Sequence, residues 1–174
     1  MIKRLCNPLR RMFMAMLVLW AASTLNAVAA DQSAVKPAEE AIKVVYHADF
    51  ADPRRFSAML SNIHNMVSTY QSELKEYDVR IVFVSYGIRF VTQDKLTGTP
   101  FAEDPVLKQR RAELLTRLAT LRDNEGVKLE LCDITREAVH LPREKVISGV
   151  TLVPSGVVRI AELQHQGYAY LKVE

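Results

Sequence analysis

Cys132 and His47 are the two side chains whose type and position first suggest chemistry. Cys132 closes an apolar, strand-like run, Val127-Lys128-Leu129-Glu130-Leu131-Cys132. The only other cysteine, Cys6, lies in a segment that reads as a removable export signal. An unpaired thiol in an oxidising compartment is buried and inert, cross-linked to another chain, or kept for reaction. All three readings stand at this point. A thiol at the carboxyl end of a strand lies near helix amino ends, whose partial positive charge and free N–H groups favour thiolate. A thiolate attacks a disulfide, a persulfide or a sulfane sulfur. Asp133, next in sequence, works in the opposite sense by adding negative charge. The plain alternative is a small apolar residue completing a core.

His47 follows the first strand signal and is a candidate base for Cys132, or a ligand group. Its structural alternative is a histidine bonded to the neighbouring turn. Asp49, Ser85, Tyr86, Asp133 and Ser155 also fall just past predicted strand ends. Ser155-Gly156 at a helix start can hold an anion or serve as a simple cap. His64, His140 and His165 lie on or near helices and read as structural or solvated.

Other chemistries lack their residues. Cys-x-x-Cys, His-x-x-x-His and a local carboxylate–histidine pair are absent, so no metal is expected. Neither a Gly-x-Gly-x-x-Gly turn nor a Walker loop is present, so no nucleotide cofactor is expected.

These residues must be positioned by alternating strands and helices. Ile42–Tyr46 reads as a strand, and Asp52-Pro53 opens a helix with Phe56, Met59, Leu60, Ile63, Val67 and Tyr70 on one face. Asp78–Val84 is a second strand with a continuous apolar core, which places it centrally. Thr92–Asp104 reads as a loop and a candidate lid. Asp104-Pro105 starts a second helix carrying Leu107, Leu114, Leu115, Leu118 and Leu121, ended near Gly126. Val127–Cys132, a helical piece over Thr135–His140, the strand Gly149–Val153, a helix from Ser155 and an edge strand Tyr168–Val173 complete the order. Such alternation implies βαβ crossovers and a parallel α/β sheet covered on both faces, with ligands outside the carboxyl ends of the strands.

Residues 1–30 have the pattern of a bacterial signal peptide. Lys3, Arg4, Arg10 and Arg11 precede an uncharged stretch, Met12–Leu25, and Ala27-Val28-Ala29-Ala30 offers cleavage before Ala30 or Asp31. The apolar stretch is shorter than the ~20 residues of a membrane span. The expected location is therefore periplasmic or secreted, with no membrane association after cleavage. The whole chain has 23 basic and 20 acidic residues, but four of the basic ones lie in the signal, leaving 19 against 20. A net charge of −1 does not suit nucleic acid binding. Residues 31–41 read as a flexible leader and residues 42–174 as a single domain.

The same segments resemble the DsrE/DsrF-like sulfur-relay family. The resemblance rests on Lys43–Asp49, Leu60–Asn65, Val79–Ile88, Gly126–Cys132, Gly149–Val157 and Gln164–Tyr170, and it points to the exported branch. It implies a three-layer α/β/α fold with a five-stranded, mainly parallel sheet and a homo-oligomer. It also implies sulfur donor and acceptor proteins as partners, with Cys132 at the position that carries a persulfide. Where the exported branch often has Asn or Gly after this cysteine, this chain has Asp133-Ile134-Thr135. Two functions follow: a periplasmic sulfur carrier acting through Cys132, or a non-catalytic ligand-binding or assembly module in which Cys132 is packing.

Overall fold

The computed structural model describes residues 40–174. The expected signal peptide and residues 31–39 of the expected leader lie outside them.

Five strands form one sheet: β1 (Ile42–Ala48), β2 (Tyr77–Phe83), β3 (Lys128–Cys132), β4 (Val150–Val153) and β5 (Ala169–Leu171). Their order is β4-β3-β2-β1-β5, and all four pairings are parallel. The helices are α1 (Pro53–Ser72), α2 (Pro105–Glu125), α3 (Asp133–Ala138) and α4 (Gly156–His165). Both Asp-Pro starts form as the sequence predicts. Asp52 accepts the amide of Arg54 at 2.7 Å, and Asp104 accepts that of Leu107 at 2.9 Å. Gly126 ends α2 in the left-handed region at φ +67°, where a side chain would be strained.

Side chains of a strand alternate between the two sheet faces. Val44, Tyr46, Ala48, Val79, Ile81, Phe83, Leu129 and Leu131 enter one core cluster with the apolar stripes of α1 and α2. Val45 and Val82 enter a second, smaller cluster with Ile160 and Leu163 of α4. This is the expected three-layer arrangement. β2 is central and mostly apolar, except that Asp78 and Arg80 stand on the α4 face.

From β1 to β4 the sheet grows in one direction, and then the chain returns past β1 to add β5. The reversal makes the β1/β5 boundary the topological switch point, the usual ligand crevice of such sheets.

Several boundaries differ from the sequence expectation. β1 extends to Ala48, so His47 lies inside the strand, paired with Val82, rather than just past its end. β5 spans only Ala169–Leu171, because Lys172 bonds Asp49 and the Val173 carbonyl accepts Arg55, drawing the chain off the ladder. The Thr92–Asp104 loop is not a free flap over Cys132. Leu96 is buried in the cluster on the α1/α2 face, Arg111 holds the Thr92 carbonyl and Glu103, and Arg89 pairs with Asp104.

Candidate functional site

Cys132 is the last residue of β3 and the residue before α3. It is a free thiol, 4% exposed, the only cysteine among the described residues. Alternation along β3 places Leu131 on the α1/α2 side and Cys132 on the α4 side. The first residue of α4 covers it. A Cβ built on Gly156 would lie 3.0 Å from the Cys132 Cβ and 2.5 Å from Val84 Cγ2. Glycine is required here because α4 begins directly against the cysteine. Ser155 is the cap of that helix, with its hydroxyl accepting the Val158 amide at 3.4 Å. The amino end of α4, with its partial positive charge, is thus set beside Cys132.

Asp133 does not add an unbalanced charge beside the thiol. Hydrogen bonding from Arg136, joined by Arg143 at 3.1 Å, holds its carboxyl below the usual range. Ser85 sits in a positive-φ turn at +52°, and its amide donates to Thr135 Oγ1 at 3.1 Å. This ties the end of β2 to α3 beside Cys132. Tyr86 is half-exposed and packs edge-on against Phe101, 5.0 Å between centroids.

His47 is not the partner of Cys132. β1 and β3 are separated by β2, two strand spacings or about 10 Å. His47 instead belongs to a cluster at the switch point. Its Nδ1 shares a hydrogen bond with the Tyr170 hydroxyl at 3.0 Å, and its Nε2, buried and without a bonding partner, lies 3.9 Å from Asp49. Lys172 donates to Asp49 at 3.0 Å. Burial pushes the imidazole below its ordinary value, against the pull of Asp49. Burial would raise the Asp49 carboxyl, but the Lys172 hydrogen bond, together with the charges of His47 and Lys172, lowers it.

A second polar group on the α4 face escaped the sequence reading. Glu130 is 4% exposed and accepts from Arg80 at 2.7 Å and from Arg159 at 2.7 and 3.0 Å. Burial alone would raise its carboxyl, yet the bonds from Arg159 and Arg80 hold it below the usual range. The available signal was a glutamate flanked by two leucines, Leu129-Glu130-Leu131. Tyr170 and Lys172 were missed because nothing in the sequence says that β5 returns beside β1.

Among the described residues, no three His, Cys, Asp or Glu side chains form a group able to hold a metal. Nor is any described helix long and apolar enough to cross a membrane.

A sequence model of the DsrE/DsrF-like family matches residues 40–173, and the chain belongs to that family. Of the solved structures, it is similar to a protein of unknown function, MTH1491, from Methanobacterium thermoautotrophicum. That match has 24% identity and a TM-score of 0.56, covering 75% of this chain and 98% of the other. It is also similar to the ychN protein from E. coli at 19% identity and a TM-score of 0.45, with the same coverage. The first likeness supports the fold. No curated protein matches.

Proposed function

We propose that this DsrE/DsrF-like protein is an exported sulfur carrier, cleaved of its first thirty residues, that holds sulfane sulfur on Cys132. The supporting observation is the position of this cysteine: it ends a central strand at the carboxyl edge, under the amino end of α4. The family is one whose members work in sulfur-relay complexes. In the first step the Cys132 thiolate attacks the outer sulfur of a donor persulfide, R–S–SH. The Cys132 S–S bond forms, the donor S–S bond breaks, and the donor leaves as a thiolate. In the second step an acceptor thiolate attacks the outer sulfur on Cys132 and takes it away, restoring the Cys132 thiolate. Neither step changes the total oxidation state. The donor is a protein presenting a persulfide, the acceptor a protein presenting a thiol, and the carrier works as a homo-oligomer in the periplasm.

Burial gives the reading a specific requirement. With Cys132 4% exposed, the first turn of α4 must shift before a donor sulfur can reach it. The reward of closure is a persulfide protected from water and from stray thiols.

The same burial favours one rival, a binding or assembly module in which Cys132 is packing and the β1/β5 crevice holds a ligand. Reaction of the native protein with an aromatic disulfide reagent separates the two. A carrier whose α4 opens reacts at one thiol within minutes, well ahead of global unfolding. Reaction only at the unfolding rate would assign Cys132 to the core.

A further inference from the structure

β5 is the shortest strand of the sheet. All three of its residues are exposed, and it pairs with β1 alone. One side-chain cluster adds to that pairing. Tyr170 of β5 holds Nδ1 of His47 at 3.0 Å, and Lys172, just past β5, holds Asp49 at 3.0 Å. The two titratable groups at the end of β1 are thus both clasped from the β5 side.

His47 Nε2 is buried and has no hydrogen-bond partner. The Asp49 carboxylate lies 3.9 Å away, beyond hydrogen-bond reach, and is held by Lys172. A neutral ring leaves one nitrogen bare. An imidazolium has two N–H donors, and Tyr170 serves only the one at Nδ1. The other would be a buried, unserved donor on a cation, which costs more than the same gap on a neutral ring. The neighbouring elements offer no acceptor. β2 sets Val82 opposite His47, and α4 sends Ile160 and Leu163 to this face. The α4 charges are taken up elsewhere, Arg159 by Glu130 and Glu162. Lys172 is a cation and opposes the proton, while Glu174 pairs with Lys172 and Arg55. Water remains as the acceptor. β5 is the edge strand beside β1, so its departure hydrates the ring.

We propose that β5 is an acid-released latch: protonation of His47 frees β5 from β1 while the rest of the sheet stays folded. Release bares the backbone edge of β1 from Val44 to Tyr46 for pairing with another strand. The latch lies across β2 from Cys132 and does not depend on the sulfur-carrier reading.

Burial holds the closed-state pKa of His47 below its ordinary value, against the pull of Asp49. The opened form returns to about 6.5. Closure is therefore fully favoured above about 6.5. It weakens as pH falls from there toward the closed-state value, by at most about tenfold per pH unit for one proton.

Amide hydrogen exchange, corrected for intrinsic rates and followed by NMR from pH 7 to 5.5, tests this. The opening constant of the β5 amides that pair with β1 should rise several-fold over that range, while β2 amides do not follow. The carbon-bound ring protons of His47 should titrate below the ordinary histidine range in the same samples. His47→Gln, which keeps a partner for Tyr170 and removes the proton, should make β5 opening independent of pH. The proposal is overturned if wild-type β5 opening is flat or slows on acidification, which would mean that the imidazolium draws Asp49 in and tightens the joint. It is equally overturned if β2 amides open in step with β5, or if His47→Gln keeps the slope.

Discussion

Gly156 is the residue on which access to Cys132 turns. An added methyl group would press on Val84 and on Cys132 itself. Gly156→Ala is therefore expected to cost about 1–3 kcal/mol by overpacking. It should also lift the start of α4 and raise the rate of Cys132 modification several-fold. Urea unfolding and thiol-reagent kinetics read the two effects; a destabilised variant with unchanged native reactivity would show that α4 is not the cover. Glu130 makes a second prediction. Removing it in Glu130→Ala takes the shared carboxylate from Arg80 and Arg159, which keep Asp78 and Glu162 respectively, and is expected to cost about 1–3 kcal/mol. Its folded pKa is depressed, so its contribution is complete above the unfolded value of about 4.3. That contribution is lost as pH falls through the lower folded value. His47 acts at higher pH. Its folded pKa is also depressed, so between that value and about 6.5 the unfolded chain binds the proton that the folded chain refuses. Stability therefore falls as pH drops below about 6.5, and His47→Gln should flatten that part of the curve in urea midpoints measured from pH 7 to 5.5. An unchanged slope would place the titration elsewhere.

At the scale of elements, the Thr92–Asp104 loop is held as a strap rather than a flap. Arg111 carries much of the attachment through Glu103 and the carbonyls of Arg89 and Thr92. Arg111→Ala strands a mostly buried Glu103 and is expected to cost roughly 3 kcal/mol. It should also open the loop to limited proteolysis, with first cuts between Thr92 and Asp104. The element order was legible in the sequence because its signals are local. Asp-Pro starts, a helix-ending Gly126 and leucines at helical spacing all act within a few residues of one another. The switch point was not legible. Whether β5 lies beside β1 or beside β4 depends on which face α4 covers, and that is decided by packing across the sheet. Cys132 was found because a lone cysteine at a strand end is visible in one dimension. Its cover by Gly156 was not, since the two meet only through the β3–α4 packing. Whether His47 could meet Cys132 was open in the sequence for the same reason: strand ends share an edge, but only adjacent strands share contacts.

At the scale of the molecule, the sheet has two unequal ends. β5 is exposed along its whole length, and the switch-point cluster of His47, Asp49, Tyr170 and Lys172 lies against it. Cys132 stands on the other side of β2, toward the β4 edge. A donor docking at the β4 side would reach the thiol without disturbing the switch point. Export is the proposal that concerns the whole chain. Expression in a Gram-negative host should yield a periplasmic protein beginning at Ala30 or Asp31, read by amino-terminal sequencing and cell fractionation. A cytoplasmic protein retaining Met1 would remove both the oxidising compartment and the export step from the account.

The central claim is that Cys132 carries sulfur, and intact mass spectrometry tests it most directly. Protein purified without reductant is exposed to a polysulfide donor and weighed. The account predicts a gain of one or more sulfur atoms, about 32 Da each, that reductant reverses and that Cys132→Ser abolishes. An unchanged monomer mass would contradict it and favour the binding module, and a dimer mass that collapses on reduction would make Cys132 an intersubunit bridge.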